Sequence, residues 1–140
     1  MNDLTIPKKQ NLEGGCHCGA VRYSASVDLG AAFRCNCSIC SRTAATAAGC
    51  EPSAFELRSG QAELHEYRFG QGRLTRFFCS RCGIHCFARS SGPNGETMAV
   101  NVNTLEGVEL GDLSVVYFDG RHDTFEPLSK PAPILAERRA

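Results

Sequence analysis

The sequence predicts a mostly β, single-domain protein made of several small antiparallel sheets, with few short helices. Three observations carry that expectation. Apolar and polar residues alternate with period two in segment after segment, helical periodicity is thin, and 14 glycines supply turns between short strands. A chain of 140 residues is the size of one compact domain. No βαβ rhythm and no internal repeat is visible, so a parallel doubly wound sheet is not expected.

The elements follow in chain order. Residues 1–12 are expected to be a loose N-terminal segment, ahead of a core domain over residues 13–126. Val21, Tyr23, Ala25 and Val27 alternate with Arg22, Ser24 and Ser26, the pattern of a half-buried strand. Phe33, Cys35 and Cys37 continue the alternation in a second segment. The small residues from Ser38 to Ala48 suit one short helix or turn, and Pro52 to Phe55 a single turn between strands. His65, Tyr67 and Phe69 share a face before Gly70-Gln71-Gly72, and Leu74, Arg76 and Phe78 return as the other arm of a hairpin. Met98, Val100 and Val102 form a further strand, and Leu113 to Phe118 the last. Residues 127–140, with Pro127, Pro131 and Pro133, read as a loose tail.

Composition narrows the function classes. Hydrophobic residues are 42% and charged residues 21% of the chain, which is ordinary soluble globular usage. Fifteen basic and fifteen acidic residues cancel, so the long-range field used by non-specific nucleic-acid binders is missing, and no basic stripe interleaved with aromatics compensates for it. No apolar run reaches the length of a membrane span, and the N-terminal residues contain no apolar stretch of signal-peptide length. The expected address is the cytoplasm.

Nine cysteines are then the outlier. A reducing compartment disfavours disulfides, and an odd number would leave one thiol unpaired. Seven of the nine fall into three chelating groups: Cys16-His17-Cys18, Cys35-Asn36-Cys37-Ser38-Ile39-Cys40, and Cys79-Ser80-Arg81-Cys82-Gly83. Such spacing is a strong zinc signal. Zinc–sulfur bonds of about 2.3 Å at tetrahedral angles set sulfurs about 3.8 Å apart. Strand residues i and i+2 sit about 6.6 Å apart, so a C-x-C must bend to chelate. Gly14, Gly15 and Gly19 around the first pair allow a bend, and Gly83 allows the third group to turn around a metal. Seven thiols divide as a closed set of four and an open set of three. They also fit two closed sets in which Cys50, Cys86, His85 or His17 supplies the eighth ligand. Spacing leaves both divisions standing.

The segments GGCHCGAVRY, CNCSIC and FCSRCG, with NVNTLEG after them, resemble the glutathione-dependent formaldehyde-activating family, to which centromere protein V and bacterial relatives belong. The resemblance covers about residues 13–126 and implies an Mss4-like fold clipped by zinc. It implies two zinc ions per chain: a structural one on Cys16, Cys18, Cys79 and Cys82, and a catalytic one on Cys35, Cys37 and Cys40. It also implies a carbon–sulfur lyase-type reaction in which glutathione, or an adduct of it, is the small-molecule partner. Formaldehyde and glutathione would give S-hydroxymethylglutathione, the substrate thiol supplying or displacing a ligand at the second zinc. The alternative is a non-enzymatic zinc module that binds protein. A closed second site without an adjoining cavity would favour that alternative.

Other residues have narrower roles. Cys50 reads as a small core residue, and Cys86 as an extra thiol near a metal site. His17, between two ligands, should point away from their metal. His65 reads as a packed or edge residue. His122, flanked by Asp119 and Asp123, is a candidate proton donor if it faces the cluster. Arg42 follows the middle cluster and is a candidate to hold a substrate carboxylate, with Arg22 and Arg89 weaker candidates, while plain surface charge is the favoured reading for each taken singly. Asn101 and Asn103 would line a polar pocket or an exposed strand face.

Overall fold

The computed structural model describes residues 9–70, 72–93 and 95–122. Among them are nine strands, one α-helix and a few single 3-10 turns. The strands are β1 (Lys9–Gly15), β2 (Arg22–Asp28), β3 (Phe33–Cys35), β4 (Ala47–Ser59), β5 (Leu64–Tyr67), β6 (Leu74–Cys79), β7 (His85–Gly92), β8 (Gly95–Asn101) and β9 (Val116–Phe118). Helix α1 is Ser38–Thr43. The mostly β, antiparallel expectation with few short helices is borne out, but the described strands form one nine-stranded sheet in place of several small ones. The strands hydrogen-bond in the order β1-β2-β4-β8-β7-β6-β5, while short β3 joins the start of β4 and pairs in parallel with β9.

The alternation seen in the sequence sets the core. Along β2, Tyr23, Ala25 and Val27 are buried while Arg22, Ser24 and Ser26 are only half-buried. Val100 and Met98 of β8 join them from the far side of β4, together with Ala48, Phe87 and Leu105. Four aromatic rings cross this core: Tyr23 stacks on Phe55 at 5.3 Å, Phe55 meets Phe87 at 4.5 Å, and Phe87 stacks on Phe77 at 4.9 Å. The Tyr23 hydroxyl bonds the Thr104 hydroxyl at 2.7 Å, so the buried phenol keeps a partner. Gly14 is required where β1 crosses this tyrosine. A Cβ there would meet the Tyr23 ring at 2.6 Å and the Thr104 carbonyl at 2.8 Å.

Several expectations change. Residues 9–12 begin β1 rather than lying loose, because all seven residues of β1 pair with β2. Pro52 to Phe55 is not a turn but the middle of β4. The register against β2 shifts between Ala25 and Val27, and this irregularity accommodates a proline that has no N–H to give the ladder. Strand β7 was not legible from alternation. Its partner β6 shifts register between Phe77 and Phe78, and consecutive Cys86 and Phe87 are both buried. The small-residue stretch does form a helix, but only to Thr43. Ala44 caps it in the left-handed region, its N–H bonded to the Cys40 carbonyl. Val102 falls just past the end of β8, in a 3-10 turn. The last strand is shorter than expected, Val116–Phe118. The tail over residues 127–140 lies outside the described residues.

Candidate metal centres and the adjoining cavity

Two connections meet at the first centre. Cys16 and Cys18 lie in the turn between β1 and β2, and Cys79 and Cys82 at the end of β6 and in the turn to β7. Both turns are tied by backbone bonds. Cys16 N–H donates to the Val21 carbonyl, Cys79 N–H to Ile84, and Gly83 N–H to Cys79 at 2.7 Å, with Gly83 at φ +79°. The four sulfurs lie within 4.8 Å of one another. Cys16 and Cys18 are 3.6 Å apart and Cys18 and Cys79 3.7 Å, the separation that a tetrahedral zinc requires. Amides already point at the sulfurs: Val21 N–H to Cys16 at 3.3 Å and Arg81 N–H to Cys79 at 3.4 Å.

The thiols polarise one another. Burial raises Cys82, but amides at Cys18 and Ile84 and the neighbouring thiols outweigh it and bring it to about 6. Cys18 is favoured as thiolate by the Ala20 amide, yet burial and its three cysteine neighbours carry it to about 11. Four thiolates so close repel one another, and a divalent cation is what lets all four ionise. The donor set therefore fits zinc.

Cys86 and His85 stay out of this set. Cys86 is fully buried, pushed up to about 12 by burial and by the four nearby cysteines, and its Sγ faces the Ile84 carbonyl at 3.6 Å. His85 stacks on Phe78 at 5.3 Å. His17 is exposed, as its place between two ligands implies. Cys50 is half-buried against the core and points its Sγ at the Glu51 carbonyl.

The second centre is local. Cys35 ends β3, Cys37 precedes α1 and Cys40 lies within it, their sulfurs again within 4.8 Å. Among the described residues no fourth cysteine, histidine or carboxylate joins them. Burial raises Cys37, and amides at Cys40 and Ile39 together with the adjacent thiols reverse this and lower it. Cys40 is pushed up to about 12, first by burial and then by Cys37. Arg76 of β6 reaches across and places Nη2 3.4 Å from the Cys40 sulfur.

A bracket from β9 holds this centre. Asn36, between the first two cysteines, donates from Nδ2 to Asp119 Oδ1 at 3.0 Å and accepts from the Arg121 backbone N–H at 2.8 Å. Asp119 also accepts from His122 Nδ1 at 2.8 Å, and these two partners, His122 first, hold its carboxyl below the usual range. His122 is thereby turned to Asp119 and is exposed. It is not among the described residues that line the cavity at the sulfurs.

That cavity has a volume of about 1070 Å³, and all three cysteines stand in its wall. Arg34, Arg42, Arg76 and Arg121 line it as well. None of these four pairs with a carboxylate among the described residues. Arg42 is thus where the sequence placed it, although its Nη1 also bonds the Ser38 carbonyl. Arg22 instead pairs with Glu106, and Arg89 lies over the Phe77 ring at 5.7 Å. Asn101 donates to the His85 carbonyl and lines both the large cavity and a smaller one of about 730 Å³ beside the first centre, which Asn103 lines as well. Sequence reasoning missed Arg76, Arg34, Arg121 and the Asn36 bracket. The hairpin alternation that grouped Leu74, Arg76 and Phe78 was the only available signal.

The fold and site define a class: a β-sheet protein with one four-cysteine and one three-cysteine cluster, each able to hold a metal ion. Residues 11–117 match the family described as glutathione-dependent formaldehyde-activating enzyme, and the chain belongs to that family. It is also similar to a Rhodobacter sphaeroides protein whose crystal structure comes from structural genomics. The two are 35% identical with a TM-score of 0.69, over 76% of this chain and 99% of the other. Among the described residues no helix is long and apolar enough to cross a membrane.

Proposed function

We propose that this protein is a zinc-dependent carbon–sulfur lyase-type enzyme that joins glutathione to formaldehyde and releases it again. Cys16, Cys18, Cys79 and Cys82 hold a structural zinc, and Cys35, Cys37 and Cys40 hold a catalytic one. The observation that carries the reading is the three-sulfur centre in the wall of a large cavity, with Arg76 on Cys40. A zinc held by Cys35, Cys37 and Cys40 would supply Lewis acidity that favours the thiolate form of a substrate thiol at neutral pH. The chain's own residues do the rest. Arg76 offsets negative charge at Cys40, and Arg34, Arg42 and Arg121 offer guanidinium groups to the two carboxylates of glutathione. In the adduct the sulfur bonds the aldehyde carbon, the carbonyl π pair moves to oxygen, and the thiol proton ends on that oxygen. The reverse step breaks the carbon–sulfur bond.

An open cavity beside the second centre supports an enzyme over a non-enzymatic binding module. The test is 13C exchange NMR on labelled formaldehyde with glutathione and the zinc-loaded protein. The reading expects exchange between free formaldehyde and S-hydroxymethylglutathione above the uncatalysed rate. It expects that increment to vanish in Cys40→Ser. No increment from the wild-type protein would reject the reading.

A further inference from the structure

We infer that the cavity at the three-sulfur centre accepts thiol adducts whose aldehyde-derived part is a sizeable apolar group, not only a single carbon. The inference rests on the thiol-adduct reading above and concerns the substrate class of the same site. A hydroxymethyl adduct of glutathione is itself drug-sized, and such ligands occupy clefts of about 300–1000 Å³. The volume of about 1070 Å³ here lies just above that range, which leaves room for a larger substituent on the sulfur than hydroxymethyl.

The chemistry of the wall makes the same point. The four arginines of the wall offer donors to carboxylates, Arg76 at the Cys40 sulfur itself. Apolar side chains, Phe33, Ile39, Phe69, Leu74 and Phe118 among them, outnumber the uncharged polar ones such as Ser90 and Thr97. A tripeptide's amides would find few partners against those side chains, and burying polar groups without partners is unfavourable. An alkyl or aryl group loses nothing there and gains by leaving water. Phe69 stacks on Tyr67 at 5.8 Å, yet both rings remain nearly half exposed, 47% and 45%. Of the two, Phe69 belongs to the cavity wall, and its exposed ring is apolar surface available to a ligand. Phe33 and Phe118, edge to face at 5.5 Å, form a second apolar plate on the strands that carry the cysteine centre.

The reaction is unchanged in kind. The thiol sulfur bonds the carbon of an apolar aldehyde, the π pair moves to its oxygen, and the thiol proton ends on that oxygen. No oxidant or reductant is consumed.

Stable S-alkylglutathiones test this by calorimetry on the full-length, zinc-loaded protein. They reproduce the adduct's sulfur substituent without reacting. Burial of each added methylene should tighten binding by about fourfold at most, and S-hexylglutathione should bind at least about thirtyfold tighter than S-methylglutathione. In the double variant Phe69→Ser, Leu74→Ser the hexyl-to-methyl affinity ratio should fall by about tenfold or more. Equal affinity along the series would overturn the inference while leaving glutathione-dependent formaldehyde exchange intact. Rising affinity along the series without any formaldehyde exchange would uphold the apolar subsite and reject formaldehyde as the aldehyde. A ratio unaltered in the double variant would also overturn the inference, because the gain would then lie outside this wall.

Discussion

The two cysteine centres differ in where along the chain their sulfurs originate. In the four-sulfur centre, Cys18 and Cys79 are 61 positions apart, so a metal there ties the β1–β2 turn to the β6–β7 turn. In the three-sulfur centre all the sulfurs come from six consecutive positions, so a metal there closes no large loop. The first also lies against buried core: Cys16 and Cys79 are buried and belong to the same cluster as Val21 and Tyr23. The second faces a cavity. The first gathers its sulfurs from across the fold, and the second opens on the larger of the two cavities.

The largest expected effect follows from the closed centre. Structural zinc binding contributes about 10–16 kcal/mol in small domains, a size comparable with a typical domain's whole stability of about 5–15 kcal/mol. Cys79→Ala should therefore yield an unfolded chain by far-ultraviolet circular dichroism and amide NMR dispersion. Cys40→Ser should instead remain folded, with one metal fewer by elemental analysis and activity reduced at least about hundredfold. A folded Cys79→Ala protein, or an unfolded Cys40→Ser protein, would reverse the comparison.

Arg76 sharpens it from the functional side. Hydrogen bonds to charged groups contribute about 1.5–3 kcal/mol. On that scale Arg76→Ala should lower kcat/KM by about 10- to 100-fold, with Arg76→Lys recovering part of the loss and thermal stability nearly unchanged. A variant as active as the wild type would remove Arg76 from the site.

The smallest effect is a pH dependence. Burial, then Arg76, lowers the pKa of His85 from its usual value of 6.5. Below pH 6.5 the unfolded chain takes up a proton that the folded protein resists. The stability associated with neutral His85 is therefore present above 6.5 and is lost as pH falls through the lower folded value. His85→Phe should show a shallower loss of stability below pH 6.5 than the wild type in denaturant titrations at a series of pH values. Identical slopes would place His85 in a water-like setting.

How much of this was legible follows from distance along the chain. The seven cysteines showed themselves because each group is compact in sequence, and β2 because its buried face alternates without a break. Strand β1 was hidden because KQNLEGG has a single large apolar residue, Leu12, and owes its extended form to pairing with β2. Strand β7 was hidden by the register shift that buries two neighbours, and the strand character of Pro52 by the irregularity that accommodates it. The Arg76–Cys40 contact spans 36 positions and the Asn36–Asp119 bond spans 83. No local pattern encodes either, because both depend on how β6 and β9 are laid beside α1 and β3.

The most direct test of the division is 113Cd NMR of cadmium-substituted protein, recorded before and after glutathione is added. The account predicts two resonances. One, from the four-sulfur centre, should stay fixed, and the other, from the three-sulfur centre, should shift as glutathione enters. Two resonances that both ignore glutathione, or a shift confined to the four-sulfur centre, would contradict it.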